Sequence, residues 1–262
     1  MSSNFDLVVP FFTHHMVQDD AEIDKDNGVE EYSMRISLMT LLQTILSDES
    51  FHRSPQSQYA STAGGNSSNN SSNSSTSNVS TTTTTETILS LVLPNLVWRP
   101  GGLAAALLRL SVATVFSLLR RLKDSEASAA LDTSEMLTQL IPILQSCLDD
   151  TEDSSRELAC LCLSMILEQT HPEMLKTIWE THEPIIDTLQ SRLLGLLDDN
   201  HNPVRLAACK ALKCFLIKTS PTRERKQMED MVTILTVHLA DDEKEVQKQV
   251  VGVLAVIREL QL

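Results

Sequence analysis

One short pattern recurs along this chain and limits what it can fold into. VRLAACKAL places Arg205 at the head of an apolar run rich in small residues. LRLSVATVF places Arg109 in the same slot, SRELACLCL places Arg156 there, and MRISLMTLL places Arg35. In EVQKQVVGVL the slot holds Gln247. Successive slots lie 74, 47, 49 and 42 residues apart. A period of about 40–47 residues is that of stacked helical hairpins, each of which buries its apolar face only against its neighbours. The long first interval contains FHRSPQSQYASTAGGNSSNNSSNSSTSNVSTTTTT, residues 51–85. A Ser/Asn/Thr tract of this kind has too little apolar surface to offset ordering, so a disordered insertion is expected there.

Each marker is preceded by a second apolar segment. Three of these, FDLVVPFFTHHM, TILSLVLPNLVW and MLTQLIPILQSCL, carry a proline, at Pro10, Pro94 and Pro142. A proline inside a helix removes a hydrogen bond and bends the axis. Acidic turns separate the two helices of a unit: Asp149-Asp150, Asp198-Asp199 and Asp241-Asp242. Ser154 with Glu157, and Asp242 with Glu245, have capping-box spacing, and Asn202-Pro203 reads as a cap followed by proline. Val204, Ala207, Ala208, Ala211, Leu212 and Phe215 share one helix face. The fold expected is all-α, a HEAT/armadillo-like α-solenoid of about five hairpins. Residues 1–50 form the first hairpin, 51–85 the insertion and 86–262 an array of about four. HPEMLKTIWETHEP, 171–184, adds a short helix between the third and fourth.

Charge narrows the partners. The formal net charge is −14, which argues against nucleic acid or an anionic membrane, since both reward clustered Lys and Arg. No uninterrupted apolar run reaches the roughly 18 residues of a bilayer span. The start of the sequence has no basic segment ahead of its short apolar run, unlike a secretory signal. Cys147, Cys160, Cys162, Cys209 and Cys214 all lie in apolar helical patterns. Reduced, buried thiols in a cytoplasmic protein are the expectation.

No catalytic frame emerges. Cys160 and Cys162 are two residues apart and point to opposite sides of a helix, so they do not share a metal. The seven histidines are scattered and sit in no metalloprotease frame, and no phosphate-binding loop or nucleophile elbow is present. No enzyme activity, cofactor or metal is expected. The recurring arginines Arg35, Arg109, Arg156 and Arg205 are expected to hold turn carboxylates and fix the stacking register. Arg35→Ala is expected to cost less stability than Arg205→Ala, because the tract cuts its unit off from the rest. NLVWRPGGLAAALLRL puts Trp98, Arg99 and a Pro-Gly-Gly bend at one turn. Trp and Arg are common anchors for partner proteins. Trp98 and Arg99, with Asp198 and Asp199 at another turn, are therefore the candidate partner-binding residues.

NLVWRPGGLAAALLRLSVATVFSLL, 95–119, resembles the C-terminal region of the HEAT-repeat axonemal dynein assembly factors, the dynein axonemal assembly factor 5 family. LLGLLDDNHNPVRLAACKAL, 193–212, is similar too, although it matches HEAT repeats in general. The resemblance implies a cytoplasmic scaffold that helps preassemble outer and inner dynein arms for cilium motility. It implies binding to arm subunits such as an intermediate chain, together with co-chaperones, and supplies no catalytic residues. The alternatives are a TOG-like HEAT module that binds tubulin through its turns, or a generic HEAT adaptor. The acidic turns oppose tubulin, which is itself acidic.

Overall fold

A computed structural model of the protein describes residues 12–16, 28–47, 85–124, 134–181, 183–219 and 225–260. Every regular element among the described residues is helical. The chain divides into two compact units, Met1–Ala130 and Leu131–Leu262. The sequence places a boundary at the Ser/Asn tract instead. The difference arises because helix α1 (Gly28–Ser47) packs against α2 (Gly102–Asp124), so the segments before and after the tract share one core. The tract lies outside the described residues, except that Thr85 is buried and opens a helical segment at 85–92.

In the first unit, Leu38, Met39, Leu42 and Leu46 of α1 are buried, as are Leu108, Val112, Val115 and Leu119 of α2. Both sets follow the three-to-four-residue spacing of a helix that buries one stripe. Ser47 Oγ lies 3.1 Å from Ser117 Oγ across the pair. The segment 85–92 gives way to a 3-10 turn, Leu93–Asn95, at Pro94, where the ring excludes a continuing α-helix. Buried Asn95 ties this turn down. Its Nδ2 donates to the carbonyls of Met16 and Leu91, both at 3.0 Å. Pro10 lies outside the described residues. Residues Gly102–Lys123 of α2 are long and apolar enough to cross a bilayer, because Arg109 interrupts the run without making the helix polar on average. More than half of that stretch is buried inside the protein, and its neighbour α1 covers it.

The second unit is a HEAT/armadillo-like α-solenoid segment of three successive hairpins. These are α3 (Ser134–Cys147) with α4 (Asp153–Gln169), α6 (Glu183–Gly195) with α7 (Asn202–Thr219), and α8 (Arg225–Val237) with α9 (Lys244–Leu260). The short helix α5 (Pro172–Thr181) sits between the first two. Pro142 lies inside α3. α7 packs between α4 and α9, so the second helices form a row. Ala207, Ala208, Ala211, Leu212 and Phe215 of α7 are all buried.

α4 is buried nearly all round: Ala159, Cys160, and then Cys162 through Leu167 without a break. Small residues let neighbours approach on several sides, as a helix inside a stack requires. Cys160 and Cys162 do diverge, yet both are fully buried because each side of α4 is covered. Burial pushes the Cys147 thiol up to about 11 and Cys209 up to about 12, and drives Cys160 and Cys162 upward as well. Thiols held this way are inert packing groups.

The helix starts differ from the capping boxes read in the sequence. α4 follows Glu152, which makes no side-chain capping bond. The recurring device is a turn in which an aspartate Oδ1 accepts the backbone N–H two residues on. Asp150 takes Glu152 N at 3.0 Å, Asp199 takes His201 N at 2.9 Å, and Asp241 takes Glu243 N at 2.8 Å.

Candidate functional site

Two features project: the turns within the hairpins of the second unit and the Trp98 turn of the first. The turns of the second unit are stitched by a ladder. Arg156 Nη1 donates to the carbonyl of Asp150, six residues back in its own turn, at 2.8 Å. Its Nε and Nη2 reach the next hairpin and grip both oxygens of Asp199, at 2.7 and 3.0 Å. The pattern then advances one unit. Arg205 Nη1 donates to the carbonyl of Asp199 at 2.8 Å, and its Nη2 to Asp241 Oδ1 at 3.0 Å and Asp242 Oδ1 at 2.8 Å. Gln247 repeats the first half, donating to the carbonyl of Asp241 at 2.6 Å. Each rung therefore joins a turn carbonyl behind to a turn carboxylate ahead. Charge-assisted, two-pronged contacts of this kind set position as well as energy.

The sequence frame behind the ladder is an aspartate six residues before the slot: Asp150 and Arg156, Asp199 and Arg205, Asp241 and Gln247. Arg35 and Arg109 have Val29 and Leu103 at the corresponding positions, and both lie in the other unit. Arg109 is half-buried on α2. Arg35 is only 1% exposed, with Nε 3.1 Å from Glu31 Oε1 of its own helix. Arg35 is thus enclosed in the first unit and paired within its own helix rather than with a turn carboxylate ahead, and removing so enclosed a guanidinium is costly.

The paired aspartates have different fates. Asp199 was a candidate for partner binding, but its side chain is 7% exposed and held by Arg156, so it serves the ladder. Asp198 beside it is 81% exposed and 3.9 Å from His238 Nε2. Asp149 is exposed and pairs with Arg192 at 3.0 Å. Asp242 is 89% exposed although it touches Arg205. One aspartate of each pair thus turns inward, and its neighbour gives the rim a negative charge.

Burial raises the Asp199 carboxyl, but the bonds from Arg156 and His201 outweigh it and hold the group below the usual carboxylate range. Asp241 behaves alike: burial raises it, and the Glu243 N–H together with Arg205 brings it below that range. A carboxyl whose pKa is lower folded than unfolded adds stability above its unfolded pKa, about 3.9 for Asp. That contribution is lost as pH falls through the depressed folded value. The melting temperature should therefore drop below about pH 5, and the drop should be smaller in Asp199→Asn. Thermal melts across pH 3–7 check this, and equal slopes in both proteins would disprove it.

In the first unit, Leu96–Gly101 joins the 3-10 turn to α2. Trp98 is 72% exposed there, next to exposed Val97, and Leu103 at the start of α2 is exposed too. Arg99 folds back, with Nη2 3.5 Å from the Pro94 carbonyl, so part of it supports the turn. Gly101 has φ 112°, a conformation that residues with a Cβ rarely adopt. Nothing lies within 4 Å of a Cβ built there, so Gly101→Ala would suffer backbone strain alone. A loss of about 1–2 kcal/mol in chemical denaturation is expected. Among the described residues no group of three His, Cys, Asp or Glu side chains is placed to hold a metal ion.

Residues 66–257 match the sequence profile of a family described as dynein axonemal assembly factor 5-like, with TPR repeats. The chain belongs to this dynein axonemal assembly factor 5-like family. Relatives named Dynein axonemal assembly factor 5 include the mouse protein (Mus musculus), 28% identical over 172 residues, and the human protein (Homo sapiens), 25% identical over 234. These alignments cover 64% and 86% of this chain, but 19% and 23% of the mouse and human proteins. The chain thus spans about a fifth of the length of these relatives. A designed armadillo repeat protein aligns over 95% of this chain and 99% of its own, at 14% identity and a TM-score of 0.39. The family description names TPR repeats, whose period is about 34 residues. The rungs here reach 43 and 36 residues ahead, and the turns Asp150, Asp199 and Asp241 recur at longer, HEAT-like intervals.

Proposed function

We propose that this chain is a non-enzymatic, protein-binding scaffold in the cytoplasmic preassembly of axonemal dynein arms, outer and inner. It takes as partner an arm subunit such as an intermediate chain, or a co-chaperone. The observation that carries this reading is Trp98, a large aromatic side chain held 72% exposed on a turn that lies within the family-matched residues. An exposed tryptophan beside another exposed apolar side chain, here Val97, is a common mark of a protein contact. The carboxylates of Asp149, Asp198 and Asp242 favour a partner with a basic surface and oppose acidic tubulin.

Binding of the purified chain to purified dynein intermediate chain tests the reading, with tubulin co-sedimentation in low salt as the second arm. Retention of the intermediate chain without tubulin is expected. Sedimentation with tubulin and no retention of the intermediate chain would replace the assembly reading with the TOG-like one.

A further inference from the structure

α4, α7 and α9 of the second unit lie side by side, and a groove runs across them on the helix faces. Each helix contributes a pair four residues apart, Glu157 and Leu161, Leu206 and Lys210, Glu245 and Gln249, and the middle helix α7 adds Pro203 and Ala207. Residues at this spacing share one face, so the three pairs look into the groove together. Leu161 and Leu206 form a half-buried apolar floor. The charges around it differ from those of the turns. Arg156, Arg192 and Arg205 are all committed to aspartates. Glu157 and Lys210 form no ion pair among the described residues. Glu245 touches Lys248 at 3.4 Å and Gln249 at 3.0 Å, and both contacts are exposed. An exposed pair of this kind contributes little and exchanges readily.

We propose that this groove binds an extended segment of a partner protein, with basic residues flanking an aliphatic one. Packed helices lie about 8–10 Å apart. Crossing from α4 to α9 therefore takes about 16–20 Å, or five to six residues of extended chain at roughly 3.3 Å each. Carboxylates stand on the two outer helices and an ammonium on the middle one. The segment then places a Lys or Arg near Glu157 and another near Glu245, with its aliphatic side chain on Leu161 and Leu206. A backbone carbonyl or a carboxylate of the segment accepts from Lys210. This surface is separate from the Trp98 turn, which lies in the other unit, so the two readings stand or fall independently.

The test is selection from a random twelve-residue displayed peptide library on the full chain, followed by affinity measurement with the consensus peptide by fluorescence anisotropy. Enrichment of aliphatic residues flanked by Lys or Arg is expected. Glu157→Lys should weaken the consensus peptide at least tenfold, and Lys226→Glu, on α8 away from the groove, less than twofold. A peptide with its basic residues changed to Glu should lose binding to the unaltered chain, a readout free of any folding effect. No enrichment, or an affinity for Glu157→Lys within twofold of the unaltered chain, would overturn the proposal.

Discussion

Arg156→Ala is expected to lower the stability of the second unit by about 3 kcal/mol in urea denaturation, because removing one member of a mostly buried ion pair strands the other. The stranded group is Asp199, 7% exposed, which would lose two of its hydrogen bonds at once. The carbonyls of Asp150 and Thr151 lose their donor as well. Arg205→Ala should act in the same direction by a smaller amount. One nitrogen, Nη2, serves both Asp241 and Asp242, Asp242 is 89% exposed, and Arg205 Nε is buried with no hydrogen-bond partner. The geometry separates the two sites more sharply with lysine. An ammonium reproduces a single-point contact but not a two-pronged one. Arg156→Lys should therefore cost clearly more than Arg205→Lys. Equal losses for the two lysine variants would show that the two-pronged grip on Asp199 adds nothing. Gln247→Ala removes one neutral hydrogen bond and should cost about 1 kcal/mol.

The ladder shows how far the sequence could be read. The recurrence of Arg156 and Arg205 at helical-repeat spacing was enough to expect a stack, an acidic turn and a pairing between them. Which aspartate of each pair turns inward was not legible from composition, because Asp198 and Asp199 are chemically identical neighbours. The signal was positional: the inward aspartate lies six residues before the arginine, at the spacing that lets its carbonyl reach that side chain. Helix starts were misread for a related reason. Capping-box spacing at Ser154 and Glu157 is real, but the turn is closed earlier by Asp150. The joint core of α1 and α2 was hidden because a long tract separates them in sequence, and no local pattern reports a contact across it. The pairing of Arg35 with Glu31 of its own helix was not legible either, since the recurrence placed it on a turn carboxylate and only Val29 stands six residues before it. The groove charges Glu157 and Lys210 carry no sequence signal, because a lone charge on a helix face gains meaning only when the neighbouring helices bring it beside others.

Trp98→Ala is expected to reduce affinity for the dynein-arm partner about thirtyfold, some 2 kcal/mol, as truncation of a central aromatic anchor typically does. The side chain is 72% exposed, so the same change should shift the chain's own stability by less than about 0.5 kcal/mol. That separation is what makes the position informative: a binding loss cannot be charged to unfolding. Arg99→Ala is a poorer probe, because its guanidinium leans on the Pro94 carbonyl and its loss disturbs the turn that presents Trp98. The acidic rim needs its own variant. Asp199→Lys would break the Arg156 grip and confuse stability with binding, whereas Asp198→Lys changes only an exposed group, 81% accessible, near His238. For a basic partner, Asp198→Lys should slow association and make it less sensitive to salt, with a smaller effect on dissociation. Binding of intermediate chain measured at 50 and 300 mM salt, with thermal melts of each variant, distinguishes these effects. Unchanged affinity in both Trp98→Ala and Asp198→Lys, with folding intact, would remove both turns from the binding surface.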